Sequence, residues 1–399
     1  MSYNILSQTL AEAHPHLYPE TLPNNLRWSQ RVNLILDEIQ SLDPSLVCLQ
    51  EVDQLAFRSS FSPFLAKLGY HCSYKKRTNS SMTDGCALFW KTSCFELVDR
   101  VNVQFKDDSG DNPFLCRDNV GIIAILKVKL PDNVDVRICV ATTHFLFNPK
   151  RGYDKLAQMS LFLNTISSTI QKHSAPSTIN AIPVLIAGDF NMTPDSPLYL
   201  FWSTGSLKVD LYDEKLLAST PLRPTNRSPK QSETEQPVCH AFKLSSIYGF
   251  SKDVRHSHFS PVDGHEYFTT SHSATLSLVD YIFFGALKST EFYRFGYTME
   301  TNNREKQRWH QTIKTSLTNV QEQVSKKKRK QWDEKIDITD LKSHLVPCQV
   351  VQTSFLEPPG HLPNLPTAFL PSDHISILAE FMIKIGDCEL EGSSSAAQA

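Results

Sequence analysis

Ile182-Pro183-Val184-Leu185-Ile186-Ala187-Gly188-Asp189-Phe190-Asn191 is the stretch on which the reading of this chain turns. An apolar run closing on Gly-Asp-x-Asn is a buried strand that hands a carboxylate and a carboxamide, two residues apart, to a sheet edge, where ligands and reacting groups gather. A carboxylate there positions or deprotonates a water, and a neutral amide hydrogen-bonds a phosphate oxygen without repelling it. Alone the motif is ambiguous, because Gly-Asp is also a common turn pair.

Outward from it, further strand-like runs are Met1 to Leu6, Ser45 to Gln50, Gly85 to Trp90, Val120 to Leu130, Val136 to Thr143, Leu278 to Phe284 and Ile375 to Ile385. Val32, Ile35, Leu36 and Ile39 fall at helical spacing, as do Leu156, Met159, Leu163, Ile166 and Ile170, a helix ended by the Ser/Pro cluster near Ala175. Short turns between neighbouring strands imply antiparallel pairs, and the elements do not alternate as in a doubly wound sheet. The expected fold is a layered α/β sandwich of two mixed β-sheets.

With 399 residues, 40% hydrophobic and 21% charged, the chain has ample material for a core, and collagen-like, coiled-coil and disordered readings are excluded. The longest apolar run, Val120 to Leu126, is far short of a membrane span, so no membrane partner is expected. No charged segment followed by an apolar stretch opens the chain, so secretion is not expected either. Nine cysteines at irregular spacing, without a C-x-x-C pair, speak against a disulfide framework or a zinc site and for a reducing compartment. The expected location is the cytoplasm, with nuclear access allowed by the run Lys326 to Lys330 (KKKRK). Net charge is −2, so any nucleic-acid contact must be local. Residues 1–386 are read as a single domain with insertions at 219–238 and 301–345, the latter carrying a net charge of +5, and 387–399 as a disordered tail.

Four more elements end in chemistry: Tyr3-Asn4, Gln50-Glu51, Thr143-His144 and Ser372-Asp373-His374, with Asp280-Tyr281 inside a further strand. Singly, each has a bland reading: Glu51 a helix-capping acid, His144 a satisfied core imidazole, Asp280 a buried acceptor, Asp373 a turn cap. Their joint order is what carries information. YN, LQEV (Leu49 to Val52), TH, GDFN, DYI (Asp280 to Ile282) and SDH, spread over nearly the whole chain, resemble the endonuclease/exonuclease/phosphatase superfamily. Within it the chain looks most like the Angel subgroup, near the carbon-catabolite-repression deadenylases and nocturnin. The stretches that carry this are MSYNILSQTL, LGYHCSYKKRT, DGCALFWK, RDNVG (Arg117 to Gly121), THFLFNPKRGYDKLAQ, LSSIYGF and TTSHSATLSLVDYIFF.

The resemblance implies a four-layered, deoxyribonuclease I-like sandwich with flanking helices. It implies Mg²⁺, with Mn²⁺ as a substitute, held by Glu51 and Asn4 with Asp373 completing the shell. Asp189 would orient or deprotonate the attacking water, and Asn191 would bind a phosphate oxygen. His374 would donate to the phosphate or leaving oxygen, oriented by Asp280, and His144 would add a second imidazole. Hydrolysis would be in-line, without a covalent enzyme intermediate. The deadenylase branch has a Phe shortly before the DYI aspartate on which adenine stacks; here Thr275 to Val279 contain no aromatic residue. After the TH strand this chain offers Asn148-Pro149-Lys150-Arg151, two cations suited to a terminal phosphate. Asn119, Asn148, Lys150 and Arg151 are therefore expected on the substrate side.

Angel-type proteins are associated with 2′,3′-cyclic phosphates at RNA 3′ ends, so RNA is the expected partner and cyclic-phosphate hydrolysis the expected reaction. Poly(A) 3′–5′ exoribonuclease activity in mRNA decay is the rival, with mRNA-decay or translation factors as further partners. A catalytically silent RNA- or translation-factor-binding module is the rival of another class, but none of Glu51, Asp189, Asn191, Asp280 and His374 is missing. Met1 falls inside what the resemblance makes a central strand, so a truncated or unusually short strand is expected there.

Overall fold

The computed structural model describes residues 1–130, 134–174, 182–194, 196–212, 214–217, 237–249, 269–272, 275–287, 343–352, 365–367 and 371–385. In chain order the first half runs β1 (Ser2–Asn4), α1 (Gln8–Ala13), α2 (Pro23–Leu26), α3 (Trp28–Leu42), β2 (Leu46–Gln50), α4 (Gln54–Ala56), α5 (Ser62–Lys67), β3 (Tyr70–Lys76), β4 (Gly85–Lys91), β5 (Phe95–Gln104), β6 (Val120–Val128), β7 (Val136–His144) and α6 (Gly152–His173). It continues with β8 (Val184–Asp189), α7 (Pro197–Thr204), β9 (Ser206–Leu207), α8 (Glu214–Leu217), β10 (Val238–Cys239), β11 (Phe242–Ser246), β12 (Thr270–His272), β13 (Thr275–Ser277), β14 (Asp280–Leu287), β15 (Ser343–Gln352) and β16 (Ile377–Ile385).

Two six-stranded sheets, ordered β15-β16-β1-β2-β4-β3 and β11-β14-β8-β7-β6-β5, carry the architecture; β9 pairs β10 and β12 pairs β13 apart from them. Both sheets are mixed: β1–β2 and β7–β8 are parallel, the other pairings antiparallel. Cys48, Leu88 and Trp90 from one sheet meet Ile122, Ala124, Val140 and Ile282 from the other in a dry interior. On the outer face of one sheet, Ile35, Leu36 and Ile39 of α3 and Leu65 of α5 pack on Val47, Leu49 and Phe89. On the other, Met159, Phe162, Leu163 and Ile166 of α6 and Phe201 and Trp202 of α7 cover Ile123, Cys139, Ile186 and Phe283. Helix, sheet, sheet and helix make the four expected layers, and burying one apolar face of each element is what drives them together.

Local chemistry sets the boundaries. The helical spacing in Trp28–Leu42 is the buried stripe of α3, which stops at Asp43 in the left-handed region (φ 46°). Ser196 caps α7 by accepting from the Tyr199 amide at 3.2 Å, with a proline next, and Gly205 (φ 81°) ends it. β15 begins at Ser343, so the charged insertion expected over 301–345 ends slightly earlier; the rest of it, residues 219–236 of the other insertion and the tail 387–399 lie outside the described residues.

The parallel pair β7–β8 runs in register from Cys139↔Val184 to His144↔Asp189. A Cβ at Gly188 would stand 2.0 Å from the Thr143 carbonyl oxygen, so only glycine lets these strands close at their last residues. We predict that Gly188→Ala costs about 3 kcal/mol or more, the upper range for overpacking against immovable backbone. Urea denaturation checks it; an unchanged midpoint would mean that the strands are not this close.

Candidate active site

Strand polarity assembles the site. β1 and β2 run parallel and end together (Asn4↔Gln50), and β7 and β8 do the same (His144↔Asp189). β14 enters antiparallel with Asp280 opposite Asp189, and a bridge from Thr270 holds His374. The motif residues therefore arrive at one edge of the sandwich from both sheets. Glu51 (φ 56°) and Asn191 (φ 49°) sit in the left-handed region. That costs a non-glycine residue about 1–2 kcal/mol and turns each side chain back over the strand end.

Asn4 lies at the centre. Its Oδ1 accepts from the Leu6 amide (3.1 Å), which turns Nδ2 toward Glu51 Oε1 (3.1 Å) and Asp189 Oδ2 (3.0 Å). The amide nitrogen, not the oxygen, faces the acids, so in this arrangement Asn4 bridges two carboxylates rather than offering a metal ligand. Glu51 Oε2 also accepts from the Ser7 amide (3.0 Å). The His374 Nδ1–H donates to Asp280 Oδ2 at 2.7 Å, leaving Nε2 3.8 Å from Asp189 Oδ2. Asn191 Nδ2 donates to the Phe145 carbonyl (3.0 Å) and stands 3.0 Å from His144 Nε2. The carbonyl fixes that amide as donor, which favours His144 Nε2 as acceptor and the neutral ring's proton on Nδ1, 4.0 Å from Glu51 Oε1, although Asp189 Oδ2 also lies 3.4 Å from Nε2.

Burial and neighbours pull the titrations apart. Burial, then Asp373 and Asp84, push Glu51 up to about 7. Burial, then Asp280, push Asp189 up to about 7, against His374 and the Asn4 hydrogen bond. Burial works against charge on His374, but Asp280, its hydrogen bond, Asp373 and Asp189 raise it well above the usual imidazole range. Burial, then Arg77, His374 and Lys155, hold His144 far below that range. The two imidazoles are thus pushed in opposite directions, His374 toward the charged form and His144 toward the neutral one, the separation that divides acid and base roles.

Asp373 accepts from the Tyr18 hydroxyl at 2.8 Å through Oδ2. Its Oδ1, Asp280 Oδ1 and His144 Nδ1 are buried without a hydrogen-bond partner among the described residues. Three orphaned polar atoms beside crowded carboxylates fit a hard divalent cation and a phosphate. Asp189, Asp280 and His374 bring donor atoms within 4.8 Å of one another. The 2.7 Å bond between Asp280 and His374 occupies that pair, however. Glu51 and Asp373, both carboxylates, are the better match to such a cation.

The residues expected on the substrate side do not all reach it. Asn119 is buried and donates to the His144 carbonyl (3.1 Å), steadying the strand end from below. Asn148 is exposed and accepts from the Lys150 amide (2.9 Å). Arg151 pairs with Asp154 at 2.6 Å, while Lys150 stays exposed. Sequence reasoning missed Arg31, buried in the gap behind the site, whose guanidinium donates to the carbonyls of Ile5, Leu6 and Pro371 at 2.8–3.2 Å. It also missed Arg77, paired with Asp84 at 2.8 Å, and Lys155.

The raised carboxylates set a pH signature for the metal-free protein. A carboxyl whose folded pKa exceeds its unfolded one favours folding fully below the unfolded value, near 4, and loses that contribution as pH rises through the folded value. We predict that in chelator Glu51→Gln is more stable than the wild type at pH 8, with the gap closing toward pH 5. A divalent cation should stabilise the wild type and not the variant. Thermal unfolding at the two pH values checks this, and a destabilised variant at pH 8 would sink it.

The Endonuclease/Exonuclease/phosphatase family profile matches residues 1–296. "Protein angel homolog 2" of Mus musculus is 36% identical over 325 residues, covering 72% of this chain and 58% of that protein. "Protein angel homolog 1" of Homo sapiens is 37% identical over 212 residues, covering 52% of this chain and 31% of that protein. The crystal structure of ANGEL2, described as a 2′,3′-cyclic phosphatase in complex with adenosine-2′,3′-vanadate, superposes with a TM-score of 0.60 at 36% identity, over 71% of this chain and 82% of that one. The chain spans 58% of the length of the mouse relative. With the profile running from Asn4 through Asp280 and both sheets in place, this chain belongs to the Endonuclease/Exonuclease/phosphatase family.

Proposed function

We propose that this chain is a Mg²⁺-dependent phosphoesterase that opens 2′,3′-cyclic phosphates at RNA 3′ ends. The observation that carries the reading is the pairing of a base-side carboxylate, Asp189, with a charged, Asp280-held imidazole, His374 Nε2, 3.8 Å away at the same edge. The likeness to ANGEL2 supports it.

Asp189 takes a proton from water as the water oxygen bonds phosphorus. The P–O bond to one ribose oxygen breaks, and His374 Nε2–H protonates that oxygen. Asp280 holds the imidazole in the tautomer this requires. The His144 Nδ1–H, without a described partner, is a donor for a phosphate oxygen. Asn191 has its amide nitrogen engaged, so it acts by fixing His144. The cation, held by Glu51 and Asp373, would supply charge neutralisation on the phosphate. Lys150 is the exposed cation left to meet the terminal phosphate charge, Arg151 being spent on Asp154.

Poly(A) exonucleolysis would use the same residues, but a 3′-terminal adenine gains about 1–3 kcal/mol from an aromatic platform. Thr275 to Val279 supply none. No helix among the described residues is long and apolar enough to cross a membrane.

RNAs ending in hydroxyl, 2′,3′-cyclic phosphate or poly(A), each with and without Mg²⁺, test the reading. We predict metal-dependent loss of the cyclic end, with poly(A) left at full length. His374→Ala should lower kcat about 10²–10⁴-fold, the usual worth of a positioned proton donor, far more than the unfolded fraction accounts for even though Asp280 loses its partner. A shortening poly(A) ladder beside an intact cyclic end would overturn the proposal.

A further inference from the structure

Lys155 lies one turn into α6 and is completely buried. Among the described residues no carboxylate lies within ion-pair distance of it, though Asp189 favours its charge from further off; its Nζ donates to the Asn191 carbonyl at 2.6 Å and the Phe147 carbonyl at 3.3 Å. Those carbonyls belong to the two loops that leave β8 and β7, the loops carrying Asn191 and following His144. One turn on, Gln158, also buried, accepts from the Leu146 amide at 3.1 Å and donates to Asn119 Oδ1 at 3.3 Å, and Asn119 in turn holds the His144 carbonyl. One face of α6 thus grips both loops by their backbones.

Stability alone does not account for an ammonium here. Burying an amine against carbonyls is costly, and a methionine of similar length would fill the same space without that cost. What the amine adds is direction: it pins the left-handed Asn191 (φ 49°), whose side chain fixes the His144 ring. We infer that Lys155 is a positioning residue for the proposed hydrolysis, clamping the two catalytic loops so that Asn191 and His144 face the phosphate. The inference rests on the reading of the site given above. The clamp needs two N–H donors, which the amine has with or without its extra proton.

Lys155→Met and Lys155→Arg, assayed on adenosine 2′,3′-cyclic phosphate with Mg²⁺, test it alongside urea unfolding and ¹⁵N spectra of the histidine side chains. In Lys155→Met the unfolding midpoint should hold or rise while kcat falls about 10- to 100-fold, the loss that small misplacement brings, with KM nearly unchanged. Lys155→Arg should recover part of kcat. The His144 ring, a single Nδ1–H tautomer in the wild type, should become a mixture in Lys155→Met. Wild-type kcat and an unchanged tautomer in that variant would overturn the inference, as would a kcat loss that only follows the unfolded fraction. Should the wild type leave the cyclic phosphate intact, the functional reading fails, and the histidine spectra alone decide the role of Lys155.

Discussion

Asn4 Nδ2 stands 3.1 Å from Glu51 Oε1, in one sheet, and 3.0 Å from Asp189 Oδ2, in the other. Two buried carboxylates at this separation repel, and nothing apolar could hold them there. A carboxamide locked by the Leu6 amide can, because each of its N–H groups meets an acid and hydrogen bonds to charged partners contribute about 1.5–3 kcal/mol each. The same side chain thereby ties the active edges of the two sheets, whose apolar interiors fix their spacing only on average.

Around that bridge the charges are arranged in layers. The acids face the edge. Behind them stand compensating cations: Arg31 against backbone carbonyls near Asp373, Arg77 against Asp84, Lys155 against the loops of His144 and Asn191. Burial lowers Arg31 and brings Lys155 down to about 7, which measures what it costs to keep cations out of water there. Arg31 and Arg77 stay because removing either would leave carbonyls or a carboxylate unpaired.

The sheets were legible where strands are buried on both faces: β6, β7 and β8 lie at the expected runs, with ends shifted by one or two residues. Edge strands were harder. β5 alternates between buried and exposed positions through FELVDRVNVQ, a period-two pattern that charged residues on the outer face obscure. Of β15, Ser343 to Leu345 fall in the segment expected as a charged insertion, and no strand was expected over the rest of it. In the site, motif order pointed to Asn4, Glu51, His144, Asp189, Asn191 and His374 at strand ends, while Asp280, expected inside a strand, turns out to open β14 at the same edge. The direction of Asn4, the pairing of Arg151 with Asp154 and the clamp of Lys155 were not legible. Asn4 and Lys155 each depend on a backbone amide or carbonyl, which every residue has, so no side-chain pattern marks them, whereas Arg151 turns to the carboxylate three residues on.

This division also separates what holds the fold from what performs chemistry. The interior between the sheets and beneath α3 and α6 is nearly all apolar, and burial at about 25 cal/mol per Å² makes it the stabilising term. The edge that carries the candidate site opposes it: three non-glycine residues in the left-handed region (Leu6, Glu51 and Asn191), two acids pushed toward neutrality and three orphaned polar atoms all favour a less ordered edge. An edge of this kind persists because the strands that carry it are overdetermined elsewhere along their length. The parallel pairs matter most, since they leave the ends of β1 and β2, and of β7 and β8, no freedom to slide. A cation and a phosphate would relieve the edge by meeting the orphaned atoms, so binding energy is available there that the folded chain alone cannot use.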